Sequence, residues 1–355
     1  MSTPSIKTRV LITGVGGGAV GHQILHAIEL LGDKYDITAV DADSYSFGLF
    51  AVSKRFLVPL ASAPGYVDAI CSIVRHGRIQ VVIPGTEAEL KVLAAHRSKV
   101  EAEGCLLLVN PAPVVDLCQN KFLLAEWLQK HGFDTPDTVG GLDWRNLVAR
   151  KGYPIIAKPC SGSSGSRNVA ILASEDEVVR YLGFCRQEDT IFQEYVDADD
   201  GEFTVGICVD GSSKVIDSIA LRRKLTGMTL GLKRVIGDRT YALSTGYSQG
   251  FIVKQPVVQG VCERLVEALE MRGPANIQCR FSQGRVMVFE VHPRFSGTTS
   301  LRADVGFNEP DILIRTMLQG EKVGRQAYRT DVAVIRAFQS VVVSMAEMDS
   351  VPRIG

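Results

Sequence analysis

Three side chains that can handle metal ions and phosphate groups lie two residues apart in the last quarter of the chain. In the segment VMVFEVHPRF, apolar residues alternate with Glu290 and His292, and Arg294 follows. Because side chains on a β-strand alternate between its two faces, we expect all three to point to one side. A carboxylate and an imidazole can hold a divalent cation, and a guanidinium can neutralise a phosphoryl group in transfer. A half-exposed strand with its polar side in water is the alternative.

A second candidate for phosphate binding combines a lysine with a loop of small residues. The apolar strand PIIAKP ends with Lys158, and the segment CSGSSGSRN follows it. The lysine supplies a positive charge, and glycine and serine let backbone amides approach phosphate oxygens closely. We therefore expect this loop to close over a phosphate chain and to exclude water. A surface loop beside a lysine with a buried stem is the alternative.

The first third of the sequence predicts a parallel β-sheet with helices on both faces. Apolar strands alternate with helices between residues 9 and 115, which is the pattern of such a sheet. After the first strand comes the loop Gly16-x-Gly18-x-x-Gly21, and Asp41 ends the next strand. This spacing is typical of dinucleotide binding. The same loop also forms wherever a first helix packs tightly on a sheet, so both interpretations stay open.

A further candidate in this part of the chain is Glu87, in the segment PGTEAE. This segment follows an apolar strand, and ligands bind at the carboxyl ends of parallel strands. Glu87 is therefore a candidate for substrate binding. A helix start with Thr86 as its cap and acids in the first turn explains the segment equally well.

The composition limits the class of protein. The chain has 355 residues, 46% of them hydrophobic, with 39 basic and 39 acidic side chains. This predicts two or three domains and argues against disorder and against a nucleic-acid partner. The eight cysteines show no metal-site spacing or disulfide framework, and the N-terminus shows no signal peptide. No apolar run approaches the roughly 20 residues of a membrane span. We expect a cytoplasmic protein without membrane contact.

Several motifs, taken in order, resemble those of ATP-grasp enzymes, in particular the carbamoyl-phosphate-synthase-like group. The motifs are NKFLLAEWLQKHGFDTP, YPIIAKPCSGSSGSRNVAI, IFQEYVDADDGEFTV and the two last strands, ANIQCRF and RVMVFEVH. The fold class that the resemblance implies is α/β and α+β. It comprises a Rossmann-like pre-ATP-grasp domain at 1–115, an ATP-grasp fold of two α+β subdomains clamping ATP at 116–325 with a lid subdomain at about 140–195, and an unplaced C-terminal segment at 326–355.

The resemblance implies which residues bind ATP. Lys121 and Lys158 would contact the phosphates, the hinge that begins at Glu194 would hold adenine, and Glu202 would accept hydrogen bonds from the ribose. The complete predicted set is Lys121, Lys158, Ser161, Gly162, Ser163, Ser164, Gly165, Glu194, Tyr195, Val196 and Glu202.

The metal ligands that the resemblance implies are Gln278, Glu290 and His292, with Glu290 bridging two Mg²⁺ ions. Gln278 stands where many members have a carboxylate, and an amide oxygen adds no charge. His292 stands where the family usually has Asn, and imidazole suits Mn²⁺ better than Mg²⁺. Mn²⁺ is therefore an alternative cation, and a position of His292 beside the metals is an alternative to ligation. The expected catalytic residues are Arg294, Glu290 and Lys158.

Substrate-binding residues are expected in three places. They are the segment that contains Glu87, the basic segment ALRRKLTGMTLGLKR between ATP-contacting strands, and the hydroxyl-rich turn after Arg294. Arginine has the geometric advantage in binding phosphate or carboxylate groups. The candidates are Glu87, Arg222, Arg223, Arg234, Ser296, Gly297 and Thr298.

The resemblance implies an ATP-dependent ligase that acts on small molecules. A substrate carboxylate would take the γ-phosphate of ATP to form an acyl phosphate, and an amine would then displace phosphate to give an amide. A carbamoyl-phosphate-type synthase, or a kinase for a small carboxylate or carbamate, is the alternative in the same class. An NAD(P)-dependent oxidoreductase built on the glycine loop and a non-catalytic nucleotide-binding protein are alternatives of other classes. A homodimer is expected by analogy.

Overall fold

The computed structural model describes residues 7–162, 168–225 and 231–355 of the chain. The strands are β1 Thr8–Thr13, β2 Tyr35–Asp41, β3 Lys54–Leu57, β4 Val81–Ile83, β5 Leu106–Leu107, β6 Thr138–Gly140, β7 Ile155–Pro159, β8 Ala170–Leu172, β9 Thr190–Glu194, β10 Glu202–Val209, β11 Val215–Arg223, β12 Gly231–Ile236, β13 Arg239–Ser244, β14 Gly250–Val253, β15 Gly273–Ser282, β16 Arg285–His292 and β17 Val332–Val334. The helices are α1 Val20–Glu29, α2 Tyr66–Gly77, α3 Glu87–Ala95, α4 Arg97–Glu101, α5 Ala112–Gln119, α6 Lys121–Lys130, α7 Trp144–Lys151, α8 Glu175–Leu182, α9 Pro256–Ala268, α10 Thr299–Ala303, α11 Glu309–Leu313 and α12 Met345–Asp349.

The first part of the chain forms the parallel sheet that the sequence predicts, with strand order β3-β2-β1-β4-β5. Its central strand is buried on both faces. Ile12 belongs to the same core cluster as Ile24 of α1, and Leu11 belongs to the same cluster as Ile70 of α2. A strand covered on both sides needs a continuous apolar run, which is why TRVLIT carries one.

The glycine loop after β1 serves close packing. A Cβ on Gly21 would lie 2.3 Å from the carbonyl oxygen of Gly14, so only glycine lets α1 approach the sheet here. The carboxylate of Asp41 accepts hydrogen bonds from the backbone N–H groups of Gly16 and Asp43, each at 3.0 Å. Both oxygens of the acid that a dinucleotide fingerprint would use for ribose therefore already have partners within the loop.

The second part contains a six-stranded sheet of order β16-β15-β10-β11-β14-β17, whose strand pairs are antiparallel. Helix α9 covers one face, and Val258 and Leu265 from this helix join Val205 and Ile277 in one core cluster. A four-stranded sheet of order β6-β9-β7-β8 packs with α7 and α8 around its own small core. Strands β12 and β13 form a separate hairpin.

Two helices, α5 and α6, follow the first sheet in the chain. They are separate because the chain turns at Asn120, whose side chain accepts the N–H groups of Phe122 and Leu123 at 3.1 Å. The end of the unplaced C-terminal segment returns to the edge of the first sheet. There Leu57 donates its N–H to the carbonyl of Pro352 at 2.7 Å. None of the helices in the described part of the chain has the length and apolar character that a membrane span requires.

Candidate functional site

The two last strands of the large sheet bring the chemistry-bearing residues of the sequence together. In the antiparallel ladder Gln278 lies opposite Glu290, and Asn276 lies opposite His292. Oε2 of Glu290 is 3.1 Å from Nε2 of His292. Arg294, just beyond β16, donates from Nη2 to Oε1 of Glu87 at 2.5 Å. The same Glu87 oxygen lies 3.8 Å from Nδ1 of His292, so alternation along β16 delivers all three side chains to one place.

Glu290 is surrounded by positive charge. Its Oε1 lies 4.0 Å from Nζ of Lys121, and its Oε2 contacts His292. Burial alone would raise the pKa of Glu290, but the hydrogen bond with His292 and the charges of His292, Lys121 and Lys158 outweigh it and hold the pKa well below its ordinary value. Glu290 is therefore an ionised carboxylate over the physiological pH range, which is the form that binds cations.

Gln278 is oriented by Arg223. The amide nitrogen of Gln278 donates to Oε2 of Glu290 at 3.0 Å and lies 3.1 Å from Nε2 of His292. Its oxygen, the atom expected to bind metal, accepts a hydrogen bond from Nη1 of Arg223 at 3.0 Å. In this arrangement Gln278 orients Glu290, and cation binding by the remaining lone pair of its oxygen stays a prediction.

The cation-binding set within the described ranges is consequently small. No group of three or more His, Cys, Asp or Glu side chains there is arranged to hold a metal ion. Glu290 and His292 remain as a pair, and both are partly exposed. Mg²⁺ is commonly held by one or two carboxylates together with substrate phosphates, so this donor set fits a cation that arrives with a nucleotide.

Glu290 lies on the wall of two neighbouring cavities. The larger one, about 640 Å³, lies between the four-stranded sheet and the large sheet and is lined by residues such as Lys158, Tyr195 and Glu202. The smaller one, about 420 Å³, is lined by residues such as Glu87 and Arg294. A group bound in one cavity can therefore meet a group bound in the other at this carboxylate.

Lys158 lines the larger cavity. Its side chain is 6% exposed, and Nζ donates to Oε1 of Gln193 at 3.0 Å. Burial lowers the pKa of Lys158 to about 8, and the nearby carboxylate of Glu290 only partly offsets this. An ammonium that has lost most of its hydration is prepared to bind an anion, because the anion replaces the missing water.

The predicted hinge lines the same cavity through Glu194, Tyr195 and Val196. Glu194 accepts the N–H of Asp137 at 2.9 Å and pairs with Lys151 at 2.7 Å. These contacts hold the carboxylate of Glu194 in the protein framework. The peptide groups that follow it, and the ring of Tyr195, form the part of the wall that a planar base could contact.

Glu202 is buried in this wall together with a residue that the sequence reading missed. Nε of Arg280 donates to Oε2 of Glu202 at 3.0 Å, and Nη2 lies 2.9 Å from the same oxygen. The guanidinium of Arg280 lies 5.0 Å from the ring of Tyr195. It also donates to the carbonyl of Val196. Oε1 of Glu202 has no hydrogen-bond partner among the described residues. This oxygen lies 3.8 Å from Nε of Arg223, beyond hydrogen-bond distance. A buried acceptor without a hydrogen bond beside a cavity fits the predicted role as acceptor of a ligand hydroxyl.

Comparisons with known proteins match both halves of the chain. Residues 10–108 match the model of the PylC-like N-terminal domain. Residues 186–340 match the model described as ATP-grasp in the biosynthetic pathway with Ter operon. The second half of the chain therefore contains an ATP-grasp domain, as its motifs predict.

Individual relatives agree with this ATP-grasp assignment. The large chain of carbamoyl phosphate synthase from Agathobacter rectalis is 26% identical over 265 residues, which are 72% of this chain and 22% of that protein. A structure of N5-carboxyaminoimidazole ribonucleotide synthetase in complex with ADP is 15% identical, with a TM-score of 0.65 over 92% of this chain and 80% of that one. The L-amino acid ligase of Bacillus licheniformis is 17% identical, with a TM-score of 0.61 over 88% and 74%.

These matches confirm the predicted fold class and the likeness to the carbamoyl-phosphate-synthase-like group. The chain spans less than a third of the length of the first curated relatives that it matches. The structural likenesses lie below 25% identity and therefore bear on the fold.

The phosphate-contacting residues expected of an ATP-grasp protein are distributed over both cavities. Lys121 and Gly162 line the smaller cavity, and Lys158 lines the larger one. The backbone N–H of Lys121 donates to the carbonyl of Cys160 at 2.9 Å, which fixes the start of α6 beside the start of the serine-glycine loop. Ser161 belongs to the described chain but lines neither cavity. The predicted contacts at Ser163, Ser164 and Gly165 lie outside the described residues.

Of the substrate candidates, Glu87 is the one that lies in a cavity. Burial would raise the pKa of Glu87, but the charges of Arg294 and His292 outweigh it and lower the pKa. Thr86 caps α3, because its hydroxyl accepts the N–H of Glu89 at 3.2 Å, so the capping interpretation is confirmed and substrate binding by Glu87 stays a prediction. The sequence reading missed Cys118 and Gln119, which line the same cavity from the end of α5. A buried thiol and an amide on an amphipathic helix carry no pattern that would reveal such a position.

The structure gives the other substrate candidates different surroundings. Arg234 pairs with Glu177 of α8 and with the carbonyl of Ile171, because β12 packs against the four-stranded sheet. Arg222 is exposed, with its guanidinium 5.5 Å from the ring of Phe251. Neither arginine lines either cavity. Of the three candidate arginines, Arg223 reaches the site, through Gln278 and through an ion pair with Glu202 at 3.8 Å.

The hydroxyl-rich turn after β16 is buried and bonded within itself. Oγ of Ser296 and Oγ1 of Thr298 lie 2.7 Å apart, and the N–H of Thr298 donates to Ser296 at 3.1 Å. The carbonyl of Gly297 accepts a hydrogen bond from Arg336. The expectation that these hydroxyls face a substrate does not fit this arrangement, because they are bonded to each other.

Proposed function

We propose that this protein is an ATP-dependent ligase that activates a small carboxylate as an acyl phosphate for attack by an amine. One observation carries the proposal: the ionised Glu290 separates two cavities and is flanked by Lys121, Lys158 and Arg294. ATP would occupy the larger cavity, with adenine at the hinge of residues 194–196. The phosphoryl acceptor would occupy the smaller cavity.

The reaction transfers the γ-phosphoryl group across the wall between the cavities. An oxygen of the acceptor carboxylate attacks the γ-phosphorus, the bond to the β,γ-bridging oxygen breaks, and ADP leaves. The amine nitrogen then attacks the acyl carbon, the bond between this carbon and the phosphate oxygen breaks, and an amide remains. The departing phosphate takes up the proton that the amine loses. The protein positions the reactants and neutralises charge, which supplies most of the catalysis of phosphoryl transfer.

Each side chain of the site has a defined part in this reaction. Lys158 binds the phosphate chain in the larger cavity, and Arg294 stabilises the phosphoryl group and the acyl phosphate in the smaller one. Glu290 and His292 would hold a divalent cation, Mg²⁺ or Mn²⁺, which when bound supplies further neutralisation of the phosphates. Glu202 would receive a ribose hydroxyl on Oε1, which has no hydrogen-bond partner among the described residues.

A carbamoyl-phosphate-type reaction is the second candidate. The curated relatives named above are large chains of carbamoyl phosphate synthase, and the smaller cavity, with Glu87, Lys121 and Arg294 on its wall, is suited to a small anion. In this case bicarbonate would be the phosphoryl acceptor. Either reaction would take small-molecule partners. The eight free thiols support a reducing compartment such as the cytoplasm, and a homodimer remains an expectation.

The test is ADP release from ATP with Mg²⁺ or Mn²⁺, against a panel of amino acids, other small carboxylates and bicarbonate, singly and with amines. ADP that appears only with a particular carboxylate and amine pair supports the ligase. ADP that appears with bicarbonate alone supports the second candidate. Tight ATP binding without ADP for any acceptor would favour a nucleotide-binding protein without catalysis.

A further inference from the structure

A buried ion pair lies next to the candidate site without lining either cavity. Arg302, in α10, is 0% exposed, and Glu309, the first residue of α11, is 1% exposed. Nη1 of Arg302 donates to Oε1 of Glu309 at 2.9 Å. Removing two charges from water costs several kcal/mol each, and the attraction between them offsets this only when further hydrogen bonds complete the arrangement. The further hydrogen bonds of this pair connect it to two parts of the candidate site.

Arg302 connects the pair to β15, the strand that carries Gln278. Nη2 of Arg302 donates to Oδ1 of Asn276 at 2.7 Å. Asn276 lies on β15 two residues before Gln278, on the same face, and opposite His292 in the ladder. The hydroxyl of Thr204 on β10 also donates to Oδ1 of Asn276, at 2.8 Å. Arg302 thereby fixes the segment of β15 from which Gln278 orients Glu290 and His292.

Glu309 connects the pair to the turn that follows Arg294. Oε2 of Glu309 accepts the hydroxyl of Thr299 at 2.9 Å. The hydroxyl oxygen of Thr299 in turn accepts the backbone N–H of Ser296 at 3.1 Å. Ser296 is two residues beyond Arg294, so Glu309 fixes the backbone from which Arg294 extends.

The surrounding chain is built to admit this pair. A Cβ on Gly206 of β10 would lie 2.1 Å from Nη1 of Arg302 and 2.2 Å from Oε1 of Glu309. The strand therefore needs glycine at this position to make room for two charged groups. Nε of Arg302 has no hydrogen-bond partner in the described part of the chain, so the pair is not an arrangement optimised for stability alone.

We propose that Arg302 and Glu309 are positioning residues that hold the metal-binding strands and the Arg294 turn in fixed register. The proposal rests on the proposed function, because it assigns a purpose to this register only if a phosphoryl group passes between Glu290 and Arg294. Neither residue touches a substrate. Each acts through others, Arg302 through Asn276 and Glu309 through Thr299.

The competing explanation is that the pair only fills the core. A buried ion pair can often be replaced by apolar side chains of similar size without loss of stability. Removal of one partner, in contrast, leaves a buried charge without a counter-charge. The double variant Arg302→Met/Glu309→Leu removes both charges and keeps the volume. It therefore separates the two explanations, because the fold should survive while the connections to Asn276 and Thr299 are lost.

The experiment measures three properties of the full chain. They are urea unfolding, Mn²⁺ affinity by electron paramagnetic resonance in the presence of the non-hydrolysable analogue β,γ-imido-ATP, and kcat for ADP release. We expect stability close to wild type and a Mn²⁺ affinity reduced about 10- to 100-fold, the range for residues that orient metal ligands. We expect kcat to fall by about 100-fold. Tyr35→Phe is the matched control, since it removes a buried hydrogen bond of 2.7 Å to Asp311 of α11 and should change stability alone.

Each outcome decides the proposal. A folded double variant with wild-type Mn²⁺ affinity and kcat would overturn it. If the double variant does not fold, Thr299→Val, which cuts only the connection to the turn, replaces it, and wild-type kcat in that variant would overturn the proposal equally. A wild-type protein that binds neither Mn²⁺ nor the analogue refutes the proposed function and the positioning role with it, and this result differs from failure of the variant alone.

Discussion

Replacement of Lys158 by methionine should stabilise the folded protein at neutral pH and weaken its binding of ATP. Burial lowers the pKa of Lys158 from 10.5 to about 8. Each unit of pKa corresponds to about 1.4 kcal/mol. The charged ammonium therefore lowers the free energy of unfolding by about 3 kcal/mol. Loss of the hydrogen bond to Gln193 costs about 1 kcal/mol, so the net gain of Lys158→Met should be about 2 kcal/mol.

The gain should depend on pH in a defined direction. Below about pH 8 Lys158 is protonated in both the folded and the unfolded state, and the penalty is fully present. Between about pH 8 and pH 10.5 the unfolded state keeps the proton while the folded state releases it, so wild-type stability rises with pH relative to the variant. The advantage of the methionine variant should therefore be largest near pH 7 and fade towards pH 10.5.

Urea denaturation of both proteins in steps from about pH 7 to pH 10 measures this difference, and titration calorimetry measures ATP binding. Lys130→Met, which removes an exposed lysine at the end of α6, is the control for the substitution itself. A methionine variant that is less stable than wild type at pH 7, or a stability difference that does not change with pH, would refute the assignment of Lys158 as a penalised buried charge. Unchanged ATP affinity would remove Lys158 from the nucleotide site.

Three further substitutions address other parts of the site. Glu290→Gln should lower the rate of ADP release about 100-fold or more, because a cation ligand is lost; steady-state kinetics on the folded variant measures this, and near-normal turnover contradicts the metal assignment. Glu202→Gln should lower the free energy of unfolding by about 3 kcal/mol, because Arg280 loses the carboxylate that compensates its buried charge; urea denaturation measures this. The same variant should bind ATP more weakly, which calorimetry measures. Glu87→Gln should change the KM of the phosphoryl acceptor by about 10-fold or more, since Arg294 loses its charged partner, with the KM of ATP as internal control.

Periodicity was sufficient to predict the frame of the site. The buried central strand β1 reads as a continuous apolar run because both of its faces are covered. The alternation of Glu290 and His292 predicted a shared face, and their side chains lie 3.1 Å apart. In each case the information is local, since neighbours within a strand or helix decide the pattern.

The sequence could not reveal partners that the tertiary fold supplies. Arg294 and Glu87 are 207 residues apart and meet because the two parts of the chain pack together. Arg280 follows Gln278 at the spacing of one strand face, yet nothing local shows that Glu202, 78 residues away, is its partner. Long side chains with several donors are bound by whichever acceptor lies nearest in space.

The same limit explains the expectations that the structure changed. Arg234 was expected to bind a phosphate or a substrate carboxylate, but β12 lies against the four-stranded sheet and Glu177 binds this arginine. The amide oxygen of Gln278, expected to bind a cation, accepts a hydrogen bond from Arg223 in a neighbouring part of the sheet. Residue type indicated suitable chemistry in both cases, and competition between nearby donors and acceptors decided the contact.

The most direct test of the central claim follows the oxygen atoms of the acceptor. The carboxylate or bicarbonate that supports ADP release is supplied with ¹⁸O, together with ATP, the cation and the amine, and the released phosphate is analysed by mass spectrometry. Transfer through an acyl phosphate places one ¹⁸O atom from the acceptor in the phosphate, at a rate that matches ADP release and is lost in Glu290→Gln. Phosphate without acceptor oxygen would show that ATP is hydrolysed by water, and would contradict phosphoryl transfer between the two cavities.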